Sequence, residues 1–243
     1  IEEEHDVYVL DACVEGVQEV REWQDQYYLG MDFEEIGSKI KEIDPDVVGV
    51  SIVFTPTEFA GLKTASIVKK VSSDILTVIG GPHPSVVPGK ILENKDVDFV
   101  VINEGEHTFP ELLDCIRNKK NNFSDIEGLA FKRDGEVIIN NKREFIDDLD
   151  SLKFPARHLF PMELYHKSYE NGLQSRELYN INVDYTIKNR NTTIITSRGC
   201  PFLCNFCSIH LTMGRKFRKR SPENVVSEIE EVVNKCSINH LNF

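Results

Sequence analysis

The chain has 243 residues and a formal net charge of −12; 40% of the residues are hydrophobic and 28% are charged. That is the balance of a soluble globular protein, long enough for one large domain or two smaller ones. The acidity excludes a generic nucleic-acid surface. No apolar run approaches a membrane span and no signal peptide is visible, so a cytoplasmic protein without nucleic-acid partners is expected.

Residues 6–119 alternate short apolar runs with amphipathic stretches. Residues 7–12 (VYVLDA), 47–54 (VVGVSIVF), 75–81 (ILTVIGG) and 98–103 (DFVVIN) predict strands, rich in Val and Ile and apolar on both faces. Residues 33–43, 58–71 and 106–118 carry apolar side chains at helical spacing. The alternation predicts an α/β fold, a Rossmann- or flavodoxin-like doubly wound parallel sheet. Trp23, Tyr27 and Tyr28 lie in a polar segment after the first run and fit either a sheet edge or a neighbouring domain.

Residues 126–146 change character, and Asp134–Gly135 between two apolar runs predicts a hairpin. Residues 147–161, with two prolines and an acidic start, read as a linker, and residues 162–190 are polar without clear period. A new βα unit opens near Thr192: a strand at 193–197, a loop, a helix at 222–234 capped by Ser221 with Pro222 at its first position, and a strand from 239. This is the opening of a βα barrel. The expected domains are 1–146, a linker at 147–190, and 191–243. The chain starts at Ile1 and ends in a strand-like run, so a piece of a longer protein is expected.

Ligands of doubly wound sheets bind outside the carboxyl ends of the strands. Three such ends carry unusual loops: Ser51, Thr55 and Thr57 in SIVFTPT; Gly80, Gly81 and His83 in GGPHPS; Glu104, Gly105 and Glu106 in NEGEHT. Glycines there let a large or phosphate-bearing ligand approach the backbone, and the hydroxyls and carboxylates offer hydrogen bonds. Ordinary turn duty is the alternative, with Glu104 and Glu106 merely flanking a helix start where the dipole favours acids.

The densest signal is TSRGCPFLCNFC, with Cys200, Cys204 and Cys207 at the spacing C-x3-C-x2-C. Three thiolates at this spacing can hold a cubane iron–sulfur cluster and leave one of its four irons open to bind another molecule. Gly199 and Pro201 break the backbone around the first cysteine, and Phe206 offers an apolar cover. A zinc site is the competing reading, with His210 as fourth ligand. Six cysteines, three of them clustered, suit a reducing compartment better than a disulfide scaffold.

This loop resembles the cluster loop of the radical S-adenosylmethionine (SAM) enzymes. Its continuation to Ser221–Pro222–Glu223 resembles the branch with an N-terminal cobalamin-binding domain, and the strand-end loops of residues 6–120 are similar to that domain. The resemblance implies a 4Fe–4S cluster on Cys200, Cys204 and Cys207 whose open iron chelates SAM and cleaves it reductively. It also implies cobalamin at the strand ends, and methyl transfer or another radical modification of an unactivated carbon in a small-molecule substrate. An electron donor such as flavodoxin or ferredoxin is implied as partner. The fragment alone is expected not to turn over.

Two alternatives stand beside this: a radical SAM enzyme whose sheet domain no longer binds cobalamin, and a non-catalytic cobalamin-binding module. The first loop, DACVEG, keeps Asp11 and Gly16 of the D-x-H-x-x-G pattern, but Cys13 replaces the histidine, which excludes an imidazole ligand from that loop. His83 is read as a turn or supporting residue in preference to a cobalt ligand, and Cys13 as a buried filler in preference to a cobalt ligand. Cys115 and Cys236 are read as structural. Arg198 is read as a donor to cluster sulfur or to the linker, and residues 214–220 as a basic loop facing an anion or a solvated turn.

Overall fold

In a computed structural model of the chain, residues 1, 3–16, 20–23, 26–170 and 190–243 are described. The first elements are helix α1 (Ala12–Glu15), strands β1 (Val20–Trp23) and β2 (Gln26–Leu29), helix α2 (Phe33–Ile43), strand β3 (Val47–Ser51) and helix α3 (Glu58–Val71). Strand β4 (Leu76–Gly80), helices α4 (Pro82–Val86) and α5 (Pro88–Leu92), strand β5 (Phe99–Val101), helix α6 (Gly105–Arg117) and strands β6 (Leu129–Arg133) and β7 (Glu136–Ile139) follow. The last are helix α7 (Met162–Glu170), strands β8 (Asn191–Thr193) and β9 (Ser197–Arg198), helix α8 (Ile209–Thr212), strand β10 (Arg218–Lys219), helix α9 (Pro222–Cys236) and strand β11 (His240–Asn242). Two compact units result. A sheet unit holds Phe33–Asp147 and Arg198–Phe217; a terminal unit holds Ile1–Asp32, Asp148–Ser197 and Arg218–Phe243.

The sheet unit is built on five strands in the order β3-β4-β5-β6-β7. The first three run parallel, and β6 and β7 add antiparallel at one side. The parallel strands are apolar on both faces because both faces are covered. Ile79 and Val100 pack with Ala65 of α3, Ile91 and Leu92 of α5, and Val97 on one side. Val78, Phe99 and Val101 pack with Leu112 of α6, Ile126, Leu129 and Phe131 on the other. Neighbouring positions on a strand thus serve opposite cores, as the two-residue period requires. Leu112 is fully buried, so its truncation to alanine costs about 2–5 kcal/mol.

The expected Asp134–Gly135 turn forms with both residues at positive φ, 52° and 83°. That twist suits a two-residue hairpin. The hairpin extends the sheet, which makes it mixed where a wholly parallel one was expected, while the parallel core and helical cover hold. Residues 33–43 and 58–71 are helical over the expected spans.

The strand expected at 7–12 does not form. Residues 6–10 join no ladder, Tyr8 is 68% exposed and Ala12 already starts α1. Apolar residues mark a segment able to pair, but a strand exists only where a backbone edge meets it, and these residues fold into the terminal unit.

In the terminal unit β8 and β11 pair in parallel, with Asn191 opposite His240. Helix α9 lies between them in sequence, and Ile194, Val232 and Ile238 form the core beneath. This is the expected βα unit, though its first strand is Asn191–Thr193 and Ile195 is exposed where a buried strand was expected. Ser221 caps α9 by accepting the Asn224 N–H at 3.1 Å, and Pro222 sits at the first helical position. Glu228 is buried on α9 and pairs with Arg157 at 2.7 Å and with Arg220. Strands β1 and β2 form an antiparallel pair that sequence reasoning missed, because each is only four residues long and neither VREW nor QYYL shows a clear alternation of apolar and polar residues. The part of the polar stretch at 171–189 lies outside the described residues. Among the described residues no helix is long and apolar enough to cross a membrane.

Candidate functional site

The three strand-end loops named above all belong to the sheet unit, and each ends a parallel strand or opens the next helix. Ser51 closes β3 and is exposed, its hydroxyl without a partner among the described residues. Gly80 closes β4, and a Cβ added there would meet nothing within 4 Å. Gly81 differs: its φ is +113° and a Cβ would lie 2.6 Å from the Ile52 carbonyl oxygen. Gly80 therefore leaves room for a ligand, whereas Gly81 is required by the fold itself.

His83 on α4 sits inside a chain of polar contacts. Its Nδ1 lies 3.2 Å from the Thr55 hydroxyl and its Nε2 lies 2.5 Å from Glu58 Oε2. Lys90 donates to both Glu58 oxygens at 2.8 and 3.0 Å. The Lys90 hydrogen bond, with that of His83, holds the Glu58 carboxyl below its ordinary range. Both imidazole nitrogens are engaged, which fits the supporting role expected of His83. Glu58 and Lys90 were not foreseen; they lie 25 and 32 residues from their partners along the chain, and no local pattern marks them.

Glu104 and Glu106 flank the start of α6, but the dipole is not their main partner. Glu104 Oε2 accepts the Ile146 N–H at 2.8 Å and Oε1 accepts from Arg198 at 3.0 Å. Glu106 Oε1 accepts from the other arm of Arg198 at 2.5 Å. Burial disfavours the Arg198 charge, but the hydrogen bonds to Glu106 and Glu104 outweigh it and hold the guanidinium above its ordinary value. Arg198 thus has two carboxylates of the NEGEHT loop as partners, a pairing that neither expectation named; two carboxylates in fork geometry suit a guanidinium.

The cysteine loop belongs to the same unit. Gly199 has φ +85° and its Cβ position lies 2.1 Å from the Lys216 carbonyl oxygen, so only glycine lets the strands of the loop close. The Cys200 N–H donates to Gly214 O at 3.1 Å, and Lys216 pairs with Asp147 at 2.8 Å. Helix α8, which follows Cys207, packs on α4 of the GGPHPS segment. Cys204 is exposed and Cys200 and Cys207 half-exposed. Phe206 is 92% exposed and Phe202 and Leu203 are exposed as well, so the apolar cover expected of Phe206 is not formed among the described residues.

The second half of the basic loop is not a solvated turn: Arg218 is buried and Arg220 pairs with Glu228. Cys115 and Cys236 pack against apolar clusters, as expected.

In the terminal unit Asp11 caps α1, accepting the Cys13 and Val14 N–H groups at 3.1 Å, and also accepts from the Tyr165 hydroxyl. Gly16 is wedged against the Gly30–Met31 backbone, where a Cβ would lie 2.0 Å from the Met31 nitrogen. Cys13 is exposed. It is not the buried filler expected, since a four-residue helix has no face turned wholly inward.

The donors fit the implied groups. Three thiols without a fourth cysteine suit a cluster with an open iron, and the competing zinc ligand, His210, has Nδ1 3.1 Å from the Cys207 carbonyl oxygen. Among the described residues, no group containing the three sulfurs brings its ligand atoms within 4.8 Å, the reach of a single ion. A cubane spreads its thiolates over different irons. At the strand ends, the open space beside Gly80, the Ser51 hydroxyl and the free oxygen of Glu106 suit a large ligand bearing amides.

Residues 2–113 match the family described as B12 binding domain. The chain is 30% identical over 244 residues to an uncharacterized methyltransferase of Pyrococcus horikoshii, covering 100% of this chain and 46% of that protein. It is 26% identical over 219 residues to the cobalamin-dependent radical SAM methyltransferase TokK of Streptomyces tokunonensis, covering 89% of this chain and 29% of that one. The chain spans half or less of the length of these relatives. Its fold resembles that of the radical SAM methyltransferase TsrM from Kitasatospora setae, with a TM-score of 0.64 at 17% identity over 86% of this chain and 38% of that one.

Proposed function

Since this chain belongs with the radical SAM proteins that carry a B12-binding domain, we propose that the whole protein is a cobalamin-dependent radical SAM methyltransferase. The observation that carries this reading is that the C-x3-C-x2-C loop and the strand-end loops share one compact unit. In this reading Cys200, Cys204 and Cys207 hold a 4Fe–4S cluster. Ser51, Thr55, Gly80, Gly81, His83, Glu104, Gly105 and Glu106 line the cobalamin side. When bound, the cluster supplies an electron for reductive cleavage of SAM and cobalamin supplies a methyl carrier.

The chain's own residues bind, orient and shield. The three thiolates would hold the cluster, and three protein ligands for four irons would leave it able to bind SAM. Phe202, Leu203 and Phe206, exposed on the same loop, are the apolar side chains available to cover the cluster. Gly80 would let cobalamin approach the sheet edge, and the Glu106 oxygen would accept a hydrogen bond from one of its amides. The Thr55–His83–Glu58–Lys90 chain holds α4 in register with the loop after β3. The substrate is a small molecule with an unactivated carbon, and a flavodoxin- or ferredoxin-type protein supplies electrons.

Cys13 in place of the loop histidine favours a second reading, a radical SAM enzyme whose sheet unit does not bind cobalamin. Anaerobic reconstitution with iron and sulfide, read by absorbance and electron paramagnetic resonance, separates the cases. The proposal expects a reducible 4Fe–4S signal perturbed by SAM, lost in Cys204→Ala, and a cobalamin spectrum altered on binding. A folded chain that takes up zinc and no cluster overturns it; a cluster without cobalamin uptake selects the second reading.

A further inference from the structure

Arg198 stands two residues before Cys200, and its guanidinium spans both acids of the NEGEHT loop, at 3.0 Å from Glu104 and 2.5 Å from Glu106. Glu104 is itself fixed, since its other oxygen accepts the buried Ile146 N–H at 2.8 Å. Glu106 keeps Oε2 without a partner among the described residues. The far end of the cysteine loop is tied back by Gly214 O, which accepts the Cys200 N–H, and by Lys216 on Asp147. Gly214 itself packs so close to Phe145 that a Cβ would lie 2.8 Å from its ring. The position of the thiols is therefore set from two sides, and one of those sides is a strand-end loop where the cobalamin contacts are assigned. Any amide that binds Glu104 or Glu106 must share the carboxylate with Arg198.

We propose that Arg198 is a positioning residue that couples the two cofactor sites. With the thiol loop in place, its fork holds Glu104 and Glu106 and presents the open Glu106 oxygen to cobalamin. With cobalamin in place, the same fork holds Cys200 for the cluster. Such coupling is reciprocal by linkage, and it needs a planar bidentate donor, which lysine does not provide. The inference rests on the proposed function.

The test titrates hydroxocobalamin into the 243-residue chain anaerobically, by absorbance, before and after reconstitution with iron and sulfide. Wild type is expected to bind about tenfold more tightly once the cluster is present, the middle of the usual coupling range. In Arg198→Met that factor falls to about one while iron per chain stays at the wild-type level. Arg198→Lys restores part of the factor. Should Arg198→Met fail to fold, Glu106→Gln carries the measurement. It weakens the exposed arm and also changes the assigned cobalamin contact, so affinity without cluster shifts as well, and the ratio of affinities with and without cluster is the readout expected to fall. An undiminished factor in the folded variant, or no cluster-dependent factor in wild type, overturns the coupling. A wild-type chain that binds neither cluster nor cobalamin overturns the proposed function, and this inference with it.

Discussion

Two three-charge clusters of inverse composition stand in the two units. In the terminal unit one carboxylate, Glu228, lies between two guanidiniums, Arg157 and Arg220, with side-chain exposures of 2%, 12% and 11%. In the sheet unit one guanidinium, Arg198, lies between two carboxylates, with exposures of 20% for Arg198, 7% for Glu104 and 36% for Glu106. The chemistry is the same and the burial is not. A buried charge has exchanged water for its partners and cannot lose one without a large penalty, so the first cluster holds the fold. A half-wet cluster can be loosened and remade. That suits a contact beside a ligand site.

Removing Glu228 tests the first half of this contrast and has the largest expected effect. Glu228→Ala leaves two buried guanidiniums unpaired and is expected to cost about 3–5 kcal/mol, measured by urea unfolding. A loss below about 1 kcal/mol would erase the distinction between the clusters. The adjacent glycines repeat the contrast on a backbone scale. Gly81→Ala meets the Ile52 carbonyl at positive φ and is expected to cost about 2 kcal/mol or more by the same measurement. The Arg198→Met substitution comes next: a stability loss of about 1–2 kcal/mol, since the buried Glu104 loses a partner as well as the exposed Glu106, with the Glu106 share diminished in high salt.

Gly80→Leu sharpens the comparison from the other side. Its side chain enters open space, so stability should stay within about 0.5 kcal/mol of wild type, while hydroxocobalamin binding weakens at least about tenfold. Retained affinity would move the ligand off this strand end. The smallest effect concerns Glu58, whose carboxyl lies below its ordinary value of 4.5 through Lys90 and His83. A lowered folded pKa contributes stability above the unfolded value and loses it as pH falls through the folded one. Glu58→Gln is therefore expected to flatten the acid limb of the stability curve below pH 4.5, with a loss of a few tenths of a kcal/mol at neutral pH, typical of an exposed pair. Thermal melts across that range read it directly.

Much of the fold was legible because its signals are local. Buried parallel strands need Val and Ile on both faces, so β3, β4 and β5 announce themselves; the 3.6-residue period marks α2, α3, α6 and α9; Asp134–Gly135 and Ser221–Pro222 are turn and cap chemistry acting within four residues. The candidate site was legible in the same measure, through the cysteine spacing and the glycines at strand ends. What stayed hidden spans distance. Residues 7–12 carry a strand's composition, but composition does not supply the edge they would pair with. Arg198 and Glu104 lie 94 residues apart, and Glu58 and Lys90 32.

Apart from the short helices α4 and α5, which were not foreseen, the sequence by itself therefore determined the parallel strands, the hairpin and the long helices of the sheet unit, and which residues are candidates for ligand chemistry. Both depend on side-chain type and short-range spacing. Only the tertiary structure decided which charge meets which. Glu104 and Glu106 turned from free acceptors into partners of Arg198, Glu228 became a buried counter-ion, and Gly80 and Gly81 parted into an open position and a fold-bound one. Pairing and desolvation depend on what the folded chain brings within a few ångströms, and no local pattern encodes that.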